Sequence, residues 1–323
     1  MLANPLLTIM TSKNNSQVLR GLLISLLGYA IFSAHDALVK VLNDYSVFQI
    51  IFFAMLFSYL PFSLVRITDA RPLSLRPVHP WLVFIRAALM VGALCFAFLA
   101  FSMLPMVQVY VLLFTTPVLI SLLAVPFLGE KLQAVRGSLI IFGLIGVLVV
   151  LRPTPQSLEL GHLFGALSAC CGAGAAIISR KIGREEISAT LILSPLILNI
   201  IVSGCLLYFV YKPMELLDLC LMFLLGVFAL LGQLFILTGY RSAPAAVVAP
   251  MQYSQIIWAI IFGSLFFKES VDTLTIVGAV ITIIAGILMV WRESRVSVNQ
   301  PVLRSRNMRS VGSGPLPSFE SEN

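Results

Sequence analysis

The sequence predicts an all-α integral membrane protein of ten transmembrane helices arranged as two inverted five-helix repeats. Three observations carry that reading: an apolar composition, a rhythm of apolar runs about as long as a bilayer is thick, and a match between the two halves at a fixed offset. Of 323 residues, 59% are hydrophobic and only 11% charged, with a mean hydropathy of +1.01. Soluble domains hold roughly 45 to 50% apolar residues. Each run comes near the ~20 residues that carry a helix across a ~30 Å hydrocarbon core. The alternating ten-residue segments of a transmembrane barrel do not occur.

Charged, Pro-rich and Gly-rich punctuation sets the spans at 20–42, 47–65, 81–100, 105–128, 134–151, 161–182, 188–211, 219–239, 244–267 and 273–291. The start, MLANPLLTIMTSKNN, has only a short apolar patch before its first base, so residues 1–19 read as a cytoplasmic segment before a retained first span, not as a cleaved signal peptide. Connections such as FSMLP and GYRSAP are too short for an extramembrane domain. The tail, 292–323, is poor in large apolar residues and rich in Ser, Arg, Pro and Gly, a composition expected of disorder. Cys95, Cys170, Cys171, Cys205 and Cys220 all fall in apolar stretches without metal-ligand spacing. They are expected to be small packing residues, with no disulfide, metal or cofactor.

Orientation follows from the bases. One set of alternate loops and termini holds 16 of the 21 Lys and Arg; the other holds Lys40, Arg152, Lys212 and Lys268, and Arg86 lies within the third span. The positive-inside rule then places both termini in the cytoplasm of a protein in the inner (plasma) membrane. The net charge of +7 is a product of this topology. Bases scattered over short loops do not make a nucleic-acid surface.

The chain matches itself. An offset of 139 lays PMVQVYVLLFTTPVLISLLAVPFLGEK over PAAVVAPMQYSQIIWAIIFGSLFFKES, so that Pro105 meets Pro244 and Glu130 meets Glu269. An offset of 140 lays Gly21 on Gly161, Lys40 on Arg180, Gly146 on Gly286 and Arg152 on Arg292. Five crossings per half invert the second half relative to the first, the arrangement of many secondary transporters, whose substrate site lies between the repeats near mid-membrane.

With these features the chain resembles the EamA-type drug/metabolite transporters. The likeness rests on the small-residue and Pro starts of the fourth and ninth spans, the exits LAVPFLGEK and GSLFFKES, and the Gly-studded helices GSLIIFGLIGVLVVLRP and VGAVITIIAGILMVWRE, and it covers about residues 20–292. It implies a first EamA repeat over 20–151, a second over 161–291, and a transporter of a small-molecule metabolite. The segment SAHDALVK, Ser33 to Lys40, resembles members that take up riboflavin or S-adenosylmethionine. Export of amino acids or other metabolites is the alternative within the family.

Polar residues inside spans mark candidate sites, because a charge near the helix centre costs roughly 2.5 to 3.5 kcal/mol on insertion scales. Asp36 is the one acidic residue of 14 within a span, and Arg86 the one base well inside one. Two readings of SAHDALVK stand. In one, Lys40 snorkels to the interface, Asp36 neutralises it at i, i+4 and His35, about 100° away around the helix, bonds a neighbour. In the other, His35 and Asp36 face a central cavity where they bind substrate or exchange a proton. Arg86 is expected to snorkel toward the cytoplasmic side. The fourth and ninth spans supply Gln108, Tyr110, Phe114, Thr115 and Thr116 against Gln252, Tyr253, Ser254 and Gln255, and the 139 offset lays Phe114 on Tyr253. The candidate substrate-binding set is therefore His35, Asp36, Tyr110, Phe114, Gln252 and Tyr253, with amides to orient and aromatics to stack on a ring-bearing or zwitterionic solute. Interhelical hydrogen bonding is the bland alternative for the amides. The small-residue run of the sixth span, Ser168 to Ala176, reads as close helix packing.

Other classes lack their signatures. HExxH, GxxxxGK[ST], GxSxG and paired carboxylates within spans are all absent, which argues against an enzyme. A channel would more often line its pore with a ring of like residues, and a scaffold has no need of a repeat. Oligomeric state and transport direction leave no mark in the sequence.

Overall fold

The computed structural model describes residues 5–67, 77–129, 134–152, 159–183, 185–186, 188–243 and 248–298. Those residues are mostly helical, with no strand among them. The helices are α1 (Pro5–Val41), α2 (Val47–Ile67), α3 (Pro80–Met103), α4 (Met106–Leu113), α5 (Thr116–Leu128), α6 (Ala134–Leu151), α7 (Leu160–Ile182), α8 (Ser188–Val210) and α9 (Leu216–Ser242). A 3-10 turn (Ala249–Tyr253) leads into α10 (Ser254–Phe267), and α11 (Thr273–Val298) follows. Among the described residues, six segments are long and apolar enough to cross a membrane: Val18–Val41, Pro80–Met103, Met106–Leu128, Leu160–Ile182, Leu193–Val210 and Leu216–Tyr240. Shorter apolar helices run over Val47–Ser58, Gly137–Leu151 and Thr273–Leu288.

Local chemistry sets the boundaries. α3 opens with Pro80 in its first turn, where a missing N–H costs nothing, and stops at an extended Leu104 before Pro105. α7 starts in a capping box in which His162 Nδ1 accepts the Glu159 N–H at 3.1 Å. α5 ends on Gly129, whose φ of 68° is the left-handed conformation that glycine adopts freely. The fourth span is not one continuous helix, as 105–128 implied: it breaks at Phe114 and Thr115 into α4 and α5. Pro117 has no N–H to offer the preceding turn. The Thr115 hydroxyl donates to Leu112 O and the Thr116 hydroxyl to Leu113 O, each at 2.6 Å, so the break leaves these carbonyls satisfied. The ninth span likewise opens as a 3-10 turn carrying Pro250 before turning α-helical at Ser254.

Packing follows an exchange of the two halves. α1 lies along α9 as α7 lies along α3, α2 meets α9 as α8 meets α3, and α1 meets α10 as α7 meets α5; α2 with α8 and α6 with α11 pair across the halves. The ends match too. Tyr45, after α1, donates to Asp218 at the start of α9, which raises the Tyr45 phenol pKa above its ordinary value. Glu185, after α7, bonds His79 at the start of α3. The repeat offsets relate Tyr45 to Glu185 and His79 to Asp218. α6 and α11 touch backbone to backbone: a Cβ on Gly146 would stand 2.6 Å from Thr282 Oγ1 and 2.8 Å from Gly278 O. Their outer faces present Ile141, Ile145 and Leu148, and Val277, Val280 and Ile284, a surface that suits lipid rather than water.

α4 sits at the centre, with Met106, Val107, Val109, Tyr110, Val111 and Leu112 all buried, as expected of a helix apolar on every side. Around it lie Phe98, Phe101, Leu42, Ile50 and Ile51. The cysteines are free: Cys170, Cys205 and Cys220 are exposed on the bundle exterior, and Cys95 and Cys171 half-buried. Residues 292–298, expected to begin a disordered tail, instead continue α11 as helix; the tail from residue 299 on and Glu130 lie outside the described residues.

Candidate functional site

A continuous polar and aromatic chain runs from α1 through α4 to the ninth span. His35 and Asp36 are successive residues of α1, yet His35 Nδ1 reaches Asp36 Oδ1 at 2.9 Å, because the imidazole leans back over the carboxylate. Tyr110 of α4 donates its hydroxyl proton to the other oxygen, Asp36 Oδ2, at 2.6 Å. That proton being committed, the Ser33 hydroxyl 3.2 Å away is the donor to the Tyr110 oxygen. Gln255 of α10 lies near the Tyr110 hydroxyl. The His35 ring is held between Phe32 at 6.1 Å and Phe98 at 5.8 Å, and is 5% exposed. Among the described residues, no Lys or Arg lies within ion-pair distance of Asp36.

From Tyr110 the chain continues through Phe114 at 6.0 Å to Tyr253, whose ring meets Phe114 edge to face at 4.9 Å. This is the cross-repeat pairing of Phe114 and Tyr253 that the 139 offset leads one to expect. The pair borders a cavity of about 10 Å³ lined by Thr115, Pro117, Val118, Val147, Thr282 and Gly286 among others, room for a single water. Gly286 makes space for Tyr253: a Cβ there would lie 1.8 Å from the phenol oxygen.

Of the six residues singled out from sequence, His35, Asp36, Tyr110, Phe114 and Tyr253 are thus joined. Gln252 stands half-buried on the 3-10 turn, and it is Gln255, one α-turn on, that faces Tyr110. Ser33 was missed, although its place three residues before Asp36 put it on the same helical face.

Two expectations are corrected. Lys40 does not neutralise Asp36. Its ammonium pairs with Glu269 in the turn between α10 and α11, and donates to Leu104 O at 2.7 Å. A carboxylate held by a turn and a helix-end carbonyl together outcompete an i−4 carboxylate already taken by Tyr110 and His35. Arg86 does not snorkel either. It is 4% exposed, with Nε donating to Ser179 Oγ at 2.5 Å and Nη1 to Leu191 O at 2.6 Å, so α7 and α8 supply inside the bundle what water would supply outside.

His162, at the start of α7, is fixed as the neutral Nε2–H tautomer: Nδ1 accepts the Glu159 N–H, and Nε2 lies 3.2 Å from Gln108 Oε1 on α4. No group of three or more His, Cys, Asp or Glu that could hold a metal ion occurs among the described residues.

The comparisons with known proteins agree with this architecture. The profile of the EamA-like transporter family matches twice, over residues 19–152 and 159–292. The pseudopaline exporter of Pseudomonas aeruginosa is 27% identical over 281 residues, covering 83% of this chain and 95% of that protein. The S-adenosylmethionine uptake transporter of Rickettsia bellii is 26% identical over 267 residues, covering 81% and 90%. A solved crystal structure 15% identical superposes with a TM-score of 0.57 over 87% of this chain and 99% of its own, a likeness of fold alone. Two matches that together span most of the chain, one per half, place this multi-pass membrane protein in the EamA-like transporter family, within the drug/metabolite transporters.

Proposed function

We propose that the chain is a secondary transporter that carries a small polar solute, ring-bearing or zwitterionic, across the inner membrane by alternating access. The two repeats are inverted, ten spans cross the membrane, and both termini lie in the cytoplasm with the 1–19 segment and the 292–323 tail. The observation that carries this reading is the His35, Asp36, Tyr110 chain inside the bundle, ending on the Phe114 and Tyr253 rings beside a cavity where the fourth and ninth spans are broken. A carboxylate with no Lys or Arg partner among the described residues suits an amine or other cation, and an edge-to-face aromatic pair suits a flat ring. S-adenosylmethionine offers both, which makes uptake of such a cofactor the first reading. The pseudopaline exporter among the relatives supports the second, export of amino acids or other metabolites. His35 and Asp36 are the groups through which a proton could couple to either.

Purified protein in sealed vesicles should accumulate labelled S-adenosylmethionine, or release it on counterflow, and a panel of amino acids, nucleotides and flavins should compete in order of fit. Passage of every small solute alike would make the protein a channel. Retention of every probe in both directions would remove the transporter reading for these solute classes.

A further inference from the structure

One ion pair of this structure has the position and burial of a gate. Lys40, in the last turn of α1, and Glu269, in the turn between α10 and α11, pair with only 15% and 11% of their side chains exposed. Arg152 and Asp272, the neighbouring pair on the same side of the bundle, are 44% and 51% exposed. The buried pair holds three elements together. Lys40 Nζ donates to Leu104 O at 2.7 Å and lies 5.2 Å over the Phe267 ring, while Glu269 Oε2 accepts the Met106 N–H at 3.1 Å, the first free donor of α4. The turn is shaped to aim the carboxylate inward. Lys268 adopts φ 54°, the Glu269 N–H returns to Gly263 O at 3.0 Å, and Gly263 leaves the carboxylate its space, since a Cβ there would come within 2.6 Å of Glu269 Oε2.

The pair lies one helical turn outward of the polar chain on both sides. Asp36 precedes Lys40 by four residues on α1, and Tyr110 follows Met106 by four on α4, a rise of about 6 Å each. Leu42, Leu104 and Met106, each 2% exposed or less, fill the same layer. A buried pair is costly to break, because each charge is left without water or partner. A surface pair such as Arg152 with Asp272 contributes little by comparison. Water entering from that face rehydrates both charges of the buried pair at once, so the pair has two stable conditions, dry and joined or wet and parted.

We propose that Lys40 and Glu269 form the gate over the non-cytoplasmic end of the substrate site, closed in this conformation. The proposal rests on the alternating-access reading and names the residues that close one of its two faces. The test uses the full chain with its five cysteines replaced, Ser33→Cys as reporter beside Tyr110, and a charged, membrane-impermeant methanethiosulfonate added to the non-cytoplasmic side of sealed vesicles. Lys40→Met and Glu269→Gln should each speed labelling of the reporter about tenfold or more, while Lys40→Arg, which keeps the cation, should leave it at the parent rate. A second reporter, Ala169→Cys on α7, buried at 1% exposure, should label no faster in any variant. Equal labelling of Ser33→Cys in Lys40→Met and the parent overturns the gate, as does acceleration only from the cytoplasmic side. Acceleration of both reporters together also overturns it, since the pair would then be a staple of the fold. Labelling needs no substrate, so a failed gate leaves the transporter reading intact, and a failed transport assay leaves the labelling interpretable.

Discussion

The Tyr110 hydroxyl offers the sharpest single-atom test of the candidate site. Tyr110→Phe keeps the ring, and with it the edge-to-face contact with Phe101 at 5.3 Å and the contact with Phe114, and removes only the oxygen that holds Asp36 at 2.6 Å and receives Ser33 at 3.2 Å. A hydrogen bond to a charged group contributes about 1.5 to 3 kcal/mol, against about 0.5 to 1.5 for a neutral one. At 1.4 kcal/mol per decade the charged bond corresponds to about 10- to 100-fold. Asp36 in the variant keeps His35 but loses its fixed orientation, so transport at subsaturating substrate should fall by about that factor. Ser33→Ala, which removes the neutral bond alone, should lower it by about tenfold at most. The assay is initial-rate transport in vesicles of matched protein content, with the melting temperature of each variant in detergent as a check on folding. Tyr110→Phe transporting within about twofold of the parent would show that the hydroxyl does not orient a carboxylate that matters to transport.

Other outcomes follow from the same structure. Gly286→Ala places a Cβ where the Tyr253 phenol lies, so the ring must leave the Phe114 contact. The melting temperature should drop, overpacking costing about 1 to 3 kcal/mol, and transport should drop with it. Tyr253→Ala should reduce transport several-fold with membrane abundance unchanged, measured by immunoblot of the membrane fraction, and Gln252→Ala, whose side chain is half-buried on the turn, should do less. Arg86→Lys loses the fork that serves Ser179 and Leu191 O together, and should lower the melting temperature more than an exposed substitution such as Arg20→Lys. A reporter fused after Arg292 should be active only as a cytoplasmic domain; activity on the other side would reverse the assigned orientation.

The spans and the site differ in how far sequence reveals them. The apolar helices and the two repeats were legible because hydropathy and Pro, Gly and Glu landmarks act locally. Asp36 was legible because a carboxylate in an apolar run is costly enough to need a reason. Its true partner was less so. An i, i+4 rule applied to one helix pairs Asp36 with Lys40, but Lys40 answers to Glu269, which lies 229 residues away, and to a carbonyl at the end of α3. Arg86 misled for the same reason: snorkelling is the default of a lone helix, and the Leu191 carbonyl that replaces it belongs to another one. The break in the fourth span was half visible in Pro117. The hydroxyls of Thr115 and Thr116 that make it affordable act through bonds that composition does not record.

The repeat offset also explains why the site appears once. Shifted by 140, Ser33, His35 and Asp36 fall on Ala173, Ala175 and Ala176 of α7, and shifted by 139, Tyr110 falls on Ala249. Packing is matched between the halves: α1 on α9 answers α7 on α3, and the bond from Tyr45 to Asp218 answers that from Glu185 to His79. Chemistry is not. A second carboxylate at position 176 would add another charge to the bundle at roughly 2.5 to 3.5 kcal/mol on insertion scales, with an alanine where its tyrosine would be needed. Small residues there instead let α7 lie close against its neighbours, where Gly174 would bring a Cβ to 3.1 Å from Leu89 of α3. On the proposed alternating-access reading, matched packing would let the two faces of the bundle exchange roles at similar energy, and a single carboxylate would keep one solute at one place in both.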